Sequence, residues 1–133
     1  IHKTRYLPDR RDLNRSFPGS ETGSLGARMA WQFKTQVLDR ATHAVDLHTG
    51  AIHRANLPQI RADLSNDDTA AMAAAFGVPV VINSVLGEGT LREVAEAQGI
   101  PVITYEAGEA LRFEESSIRA GVKGVLNVMH HLK

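Results

Sequence analysis

The sequence predicts an α/β domain of three layers, in which helices cover a largely parallel or mixed sheet. Short apolar runs typical of buried strands alternate along the chain with longer segments that carry helix caps and helical apolar spacing. At 133 residues the chain has the length of one domain with a substantial core. We therefore expect residues 1–133 to form a single domain.

The first part of the chain is expected to be a loop followed by a helix. Residues 1–23 carry two prolines, two glycines and many charges without a sustained period, and a loop of that length is unusual unless it serves a function. Ser24 can cap the helix that follows. Apolar residues at i, i+4 spacing from Leu25 to Val37 form a stripe along this helix, which ends near Arg40.

Four further segments predict strands and three predict helices. The strands are short apolar runs at residues 44–48, 59–62, 79–85 and 101–105. The helices lie at residues 66–77, 90–98 and about 114–132, and glycine ends the first two. In such sheets ligands bind beyond the carboxyl ends of the strands, and His48 and Glu106 both lie at such ends.

Composition excludes several classes of function. The formal net charge is zero with neutral histidines, which argues against a nucleic-acid partner because phosphate contacts need a basic surplus. No apolar run approaches about 18 residues and no signal peptide is recognised, so a soluble cytoplasmic protein without membrane contact is expected. The chain has no cysteine, so any metal must be bound by His, Asp or Glu. An oligomer is compatible with the sequence.

Arginine outnumbers lysine by eleven to four. A guanidinium holds a carboxylate through two parallel hydrogen bonds, so this bias suits a carboxylate-bearing ligand. A GC-rich genome explains most of these arginines equally well.

His48 is the first candidate functional residue. Side chains alternate along a strand, so Asp46 and His48 share one face and Leu47 lies on the other. A neutral imidazole at the end of a strand can bind a metal, and the carboxylate two residues before it can orient the ring. The alternative is a hydrogen-bonded histidine beside a structural aspartate.

Glu106 ends an otherwise apolar strand, where a carboxylate is costly to bury without a partner or a task. Next to a metal-bound water it could act as a general base. An ordinary salt bridge is the alternative. Glu109 follows in a glycine-containing loop and is expected to be solvated or structural.

Several arginines are candidates for binding a substrate carboxylate. A run of charges in the first loop is usually a solvated face. Asn14 and Arg15, however, stand directly before Ser16-Phe17-Pro18, whose apolar members can hold the loop against a core. Arg92 begins a helix after Gly89-Thr90 and can project into the crevice at the ends of the strands.

Four motifs, in order, carry a resemblance to a known family: Arg5-Tyr6, Asp12-Leu13-Asn14-Arg15, Asp46-Leu47-His48 and Tyr105-Glu106-Ala107-Gly108. Asp-Leu-Asn-Arg followed by Phe-Pro-Gly is fairly specific, and the ordered set is more so. The chain resembles the succinylglutamate desuccinylase/aspartoacylase family, a branch of the zinc carboxypeptidase superfamily, over nearly its whole length. The stretch Asn56-Leu57-Pro58-Gln59-Ile60-Arg61 resembles bacterial members of unassigned substrate.

The resemblance implies a zinc-dependent hydrolase that cleaves the amide bond of N-acyl amino acids or related small amides. By position, His48 is similar to the family's third zinc ligand and Glu106 to its catalytic carboxylate. Asn14 and Arg15 are similar to the pair that holds the carboxylate of a small-molecule substrate. Arg5 and Arg92 match two further arginines that bind substrate.

The chain also departs from the family pattern. The family's first two zinc ligands form a His-x-x-Glu motif, which does not occur in this sequence, and its smaller C-terminal β-domain is missing as well. The chain thus resembles the middle and end of a catalytic domain without its first strands. We expect a piece of a longer protein that is inactive alone. A non-catalytic module for an anionic ligand, a peptide-cleaving metallocarboxypeptidase and a structural domain without a ligand remain as alternatives.

Overall fold

A computed structural model describes residues 3–133 of the chain, so the first two residues of the predicted N-terminal loop, Ile1 and His2, lie outside the described residues. The strands are β1 (Ala44–Gly50), β2 (Asn56–Ala62), β3 (Val80–Asn83) and β4 (Val102–Glu109), and the α-helices are α1 (Leu25–Gln36), α2 (Asp67–Phe76), α3 (Leu91–Ala97) and α4 (Glu115–His131). One-turn 3-10 helices occupy Leu13–Arg15 and Leu38–Arg40.

The chain divides into two compact units. The first comprises residues 1–43 and 86–100, and the second comprises residues 44–85 and 101–133. The assignment of residues 1–133 to one domain stays a prediction.

The helix boundaries follow the caps predicted from the sequence. The side chains of Ser24, Asn66 and Thr90 accept hydrogen bonds from backbone N–H groups in the first turns of α1, α2 and α3, at 2.9–3.2 Å. Gly77 ends α2 in the left-handed conformation with φ of 80°. These three side chains mark the starts of α1, α2 and α3 because they satisfy N–H groups that have no partner within the helix. Helix α4 begins after Glu114, which makes no side-chain capping hydrogen bond.

Helix α1 buries a different face from the one that its apolar stripe indicates. Met29, Phe33 and Val37 are 40–51% exposed, whereas Gly26 and Ala30 are buried. The reason is the N-terminal loop, which lies so close to Gly26 that an added Cβ would be 3.0 Å from the hydroxyl of Ser16. The predicted helix also ends early, at Gln36, and a separate 3-10 turn continues to Arg40.

The second unit contains the whole sheet, in the order β1-β4-β2-β3. Strand β4 pairs parallel with β1 and antiparallel with β2, and β2 pairs parallel with β3. The α/β class and a mixed sheet are therefore confirmed. The predicted strands at 59–62 and 101–105 are both longer in the structure, because β2 and β4 continue their antiparallel pairing as far as Asn56 and Gly108.

The core of the second unit lies between the sheet and helices α2 and α4. The ring of Phe76 stacks on that of Tyr105 with centroids 5.0 Å apart, and both residues are nearly inaccessible to solvent. Two glycines of α4, Gly121 and Gly124, face these rings, and a Cβ on Gly124 would overlap Phe76. Burial raises the pKa of the Tyr105 phenol, whose hydroxyl donates to the carbonyl of Ser117 at 2.8 Å.

None of the helices formed by residues 3–133 has the length and apolar character needed to cross a membrane.

Candidate active site

His48 and Glu106 lie side by side on neighbouring parallel strands. Their Cα atoms are register partners in the pairing of β1 with β4, and adjacent strands are about 4.8 Å apart. The structure therefore brings together the two residues that the strand ends single out in the sequence. A bulge directly after His48 shifts the register, so that Gly50 pairs with Glu109.

The imidazole of His48 is oriented by Asp46. Its Nε2 lies 2.8 Å from Oδ2 of Asp46, and the two side chains are 31% and 24% exposed. This is the geometry that the Asp-x-His spacing predicts for a carboxylate and a ring on one face of a strand.

A complete zinc site is absent from the described part of the chain. Within residues 3–133 no three His, Asp or Glu side chains are grouped so that they could hold a metal ion. The chemistry of His48 fits one zinc ligand, but a protein zinc site takes at least three ligands from the protein. The described residues therefore do not hold zinc by themselves.

Glu106 is held by three polar side chains of β2. Its Oε2 accepts a hydrogen bond from Nδ2 of Asn56 at 2.9 Å and a longer one from Nε2 of Gln59 at 3.5 Å. Its Oε1 lies 3.5 Å from Nη1 of Arg61, and the Glu106 side chain is only 16% exposed. These three residues belong to a stretch that resembles the family in sequence, but the sequence predicted no contact with Glu106 for them. The alternation of Gln59 and Arg61 on one face was visible, but the antiparallel pairing that brings that face to Glu106 was not.

Glu109, three residues further on, has a different role. Its Oε1 accepts from the backbone N–H of His53 at 2.9 Å and its Oε2 from Nε of Arg112 at 2.9 Å. The bond from the His53 backbone, followed by the contact with Arg112, lowers the pKa of this carboxyl. His53 and Leu111 both have positive φ, 64° and 66°, which is unfavourable for residues other than glycine. The hydrogen bonds of Glu109 to His53 and to Arg112, the residue after Leu111, hold these two loops in place.

An apolar cavity of about 470 Å³ lies in the same unit and is lined in part by His48 and Glu109. Its lining also includes Tyr105 and Ala107, which alternate with Glu106 along β4, so the cavity lies on the other face of this strand from the Glu106 side chain. Much of the remaining lining comes from α4, including Ile118, Val122 and Leu126, which are 46–58% exposed.

In the first unit, Asn14 connects the arginine-bearing loop to α3. Its Oδ1 accepts a hydrogen bond from the backbone N–H of Leu91 at 2.9 Å, so the side-chain amide is oriented with its oxygen toward the helix. Arg92 is the next residue, half-buried on the first turn of α3. The loop itself is shaped by Asp12, whose Oδ1 accepts from the Asn14 N–H at 3.0 Å.

Arg15 and Arg5 differ in their surroundings. Arg15 lines an open cleft of about 700 Å³ together with Phe17, Glu88 and Glu93, and its Nη1 donates to the carbonyl of Asn14 at 2.6 Å. Arg5 instead places Nε and Nη2 at 2.8 and 2.7 Å from Oδ2 of Asp12. The carboxylate of Asp12 thus occupies the edge of the Arg5 guanidinium formed by Nε and Nη2.

The mixed sheet carries the Asp-x-His pair on β1 and the glutamate beside it on β4, within an α/β fold. The family model for the succinylglutamate desuccinylase/aspartoacylase catalytic domain matches residues 1–132. The chain belongs to this family.

Solved structures of similar proteins agree with this assignment. A succinylglutamate desuccinylase/aspartoacylase from Rhodobacter sphaeroides is 32% identical, with a TM-score of 0.84 over 96% of this chain and 40% of its own. The product-bound ectoine utilization protein EutE (DoeB) from Ruegeria pomeroyi is 29% identical, with a TM-score of 0.88 over 96% and 41%. A succinylglutamate desuccinylase from a Silicibacter species is also 29% identical, with a TM-score of 0.83 over 96% and 41%.

The chain therefore spans about two fifths of the length of these solved relatives. No curated protein sequence matches it.

Proposed function

We propose that this chain carries part of the catalytic machinery of a zinc-dependent hydrolase that cleaves amide bonds in N-acyl amino acids or related small amides. The observation that carries the proposal is the pairing of His48 with Glu106 on adjacent parallel strands, with the imidazole oriented by Asp46. Membership of the desuccinylase/aspartoacylase family supports the reaction type.

Glu106 is the residue that moves the proton. Its carboxylate takes a proton from a water molecule, and the resulting hydroxide adds to the amide carbonyl carbon. The C–N bond then breaks as Glu106 returns the proton to the leaving amine, so the carboxylate is regenerated. Zinc, when bound, lowers the pKa of water and polarises a carbonyl oxygen.

His48 is one ligand of the proposed zinc ion, and the remaining ligands lie outside the described residues. The length of the solved relatives supports this division, since this chain covers only 40% of the first of them. The 133-residue chain alone is accordingly expected to be inactive.

Asn14 and Arg15 are proposed to bind the carboxylate of the substrate, with Arg92 and Arg5 as further cationic groups. The planar guanidinium of Arg15 suits two parallel hydrogen bonds to a carboxylate, and this side chain lines an open cleft. Arg5 is the weakest member of the set because it is already paired with Asp12.

The test uses the full-length protein purified with its metal. We expect about one zinc per chain by elemental analysis, and hydrolysis of N-succinylglutamate or another N-acyl amino acid in preference to short peptides. The His48→Ala variant should lose the zinc. A preference for peptides would favour a metallocarboxypeptidase, and an active protein that keeps full activity after zinc removal would contradict the proposal.

A non-catalytic module for anionic ligands is the second candidate. The observation in its favour is that no complete metal-binding group occurs within residues 3–133, whereas Arg15 faces an accessible cleft. Calorimetric titration of the full-length protein with a dicarboxylate separates the two. Binding that requires Arg15, without zinc and without hydrolysis of any N-acyl amino acid, would establish the binding module instead.

A further inference from the structure

We infer that Asn56, Gln59 and Arg61 of β2 are positioning residues for the carboxylate of Glu106. The inference rests on the proposed function and deepens it, because it assigns a task to three side chains for which the sequence predicts no role. These three residues project from one strand toward one carboxylate on the neighbouring antiparallel strand.

The contacts distinguish the two oxygens of the carboxylate. Oε2 is anchored by the amide of Asn56 at 2.9 Å, and the amide of Gln59 lies at the longer distance of 3.5 Å from the same oxygen. Oε1 faces only the guanidinium of Arg61 among these partners, at 3.5 Å, which is beyond the usual length of a charge-assisted hydrogen bond. The geometry therefore makes Oε2 the anchored oxygen and Oε1 the oxygen that accepts the proton from water.

The chemistry of the donors suits this division. A carboxylate has four lone-pair sites, so the short bond from Asn56 to Oε2 orients the group and still leaves acceptor capacity on Oε1. The amides are neutral and hold the carboxylate without placing a cation at hydrogen-bond distance. Arg61 supplies positive charge from a longer distance, and its side chain is 47% exposed, which limits the strength of the attraction.

The register of β2 explains why three residues can converge. Gln59 is the direct cross-strand partner of Glu106 and Arg61 is the partner of Thr104, so the two β2 residues share a face. An irregularity between Asn56 and Gln59 shifts the register, and this shift brings Asn56, an odd number of positions away, to the same carboxylate. A regular strand would turn Asn56 to the opposite face.

The test compares single variants in the full-length, zinc-loaded protein. Asn56→Ala should lower kcat roughly 10- to 100-fold with KM changed by less than about twofold, because a displacement of about 1 Å in a catalytic group can cost as much as 100-fold in rate. Gln59→Met should have a smaller effect of the same kind, since its contact is longer. Arg61→Met should lower kcat, and Arg61→Lys should restore most of it.

Arg119→Met is the matched control. Arg119 forms a surface ion pair with Glu115 on α4, so the variant removes the same guanidinium without touching Glu106. Its kcat should equal that of the unchanged protein. If Arg61→Met behaves in the same way, Arg61 has no positioning role, and a rise in KM at constant kcat in Asn56→Ala would mean that Asn56 binds substrate instead.

A double-mutant cycle with Glu106→Ala tests whether Asn56 acts through Glu106. Once Glu106 is absent, Asn56→Ala should cause no further loss of the residual kcat. An equal loss in both backgrounds would overturn the inference.

Thermal unfolding of the same four proteins tests the contact between Asn56 and Glu106 independently of the proposed function. The two substitutions should lower Tm by less together than the sum of their separate effects, because both remove one contact. If the protein hydrolyses no amide but the two Tm effects are coupled, the proposed function is refuted and the contact between Asn56 and Glu106 is supported. Additive Tm losses would refute the positioning of Glu106 whatever the activity.

Discussion

Two glutamates on the same strand, Glu106 and Glu109, differ in what holds them. Both side chains are 16% exposed. Glu109 accepts from a backbone N–H and from a guanidinium, each at 2.9 Å, so both of its oxygens are committed to strong donors. Glu106 accepts from two side-chain amides on one oxygen, and its nearest guanidinium is 3.5 Å away.

The difference separates a structural carboxylate from a candidate base. Each oxygen of Glu109 accepts a hydrogen bond from a loop residue, His53 or Arg112. These donors lower the pKa of the Glu109 carboxyl. Glu106 is oriented through one oxygen and keeps the other without a short hydrogen bond from these donors, so that this oxygen retains more acceptor capacity. The exposed fraction does not distinguish the two glutamate side chains. The identity and distance of the groups that donate to them do.

The largest expected effect is that of Glu106→Gln on activity. In the full-length protein this change removes the proton acceptor and should lower kcat roughly 10²- to 10⁴-fold. Zinc content and Tm should stay close to those of the unchanged protein, because the amide retains an oxygen for Asn56. Turnover near the original level, measured on the best N-acyl amino acid, would show that Glu106 is not the base.

Glu109→Gln makes the same chemical change three residues away, with the opposite expected result. Loss of the charge that holds His53 and Arg112 should lower Tm by a few degrees, as measured by circular dichroism. The kcat should remain within about threefold of the original. If Glu109→Gln abolishes turnover and leaves Tm unchanged, the roles assigned to the two glutamates are reversed.

The smallest expected effect is a pH dependence of stability. The pKa of Glu109 is lowered from its usual 4.5 by folding, so the unfolded chain binds this proton more readily than the folded chain. Its stabilising contribution is therefore present above pH 4.5 and is lost as the pH falls through the lower folded value. The Tm difference between the unchanged protein and Glu109→Gln should shrink between about pH 5 and pH 3. A constant difference over this range would contradict the ionic role of Glu109.

Local patterns were enough to predict the parts of the fold and site that depend on neighbouring residues. Ser24, Asn66 and Thr90 mark their helices because each cap satisfies N–H groups within the next three residues. The pairing of His48 with Asp46 follows from strand alternation over two residues. The α/β class follows from the same kind of local periodicity.

Contacts between distant residues could not be predicted in this way. Asn56 and Glu106 are 50 positions apart, and Asn14 and Leu91 are 77 apart. The antiparallel pairing of β2 with β4 decides which side chains reach Glu106, and a shift of one residue would turn them to the other face. The apolar stripe of α1 predicted the wrong buried face for a related reason. The buried side consists of the small residues Gly26 and Ala30, and Gly26 is covered by the distant residue Ser16.

The glycines of α4 also limit which amino-acid substitutions the second unit can accept. Gly121 lies so close to Tyr105 that an added Cβ would be 3.0 Å from the ring, and at Gly124 the Cβ would overlap Phe76. A larger residue at either position must therefore be accompanied by a smaller ring or by a movement of the helix away from β4. Substitutions in α4, α2 and β4 are thus coupled, and relatives in which one of these positions differs should differ at its partner too.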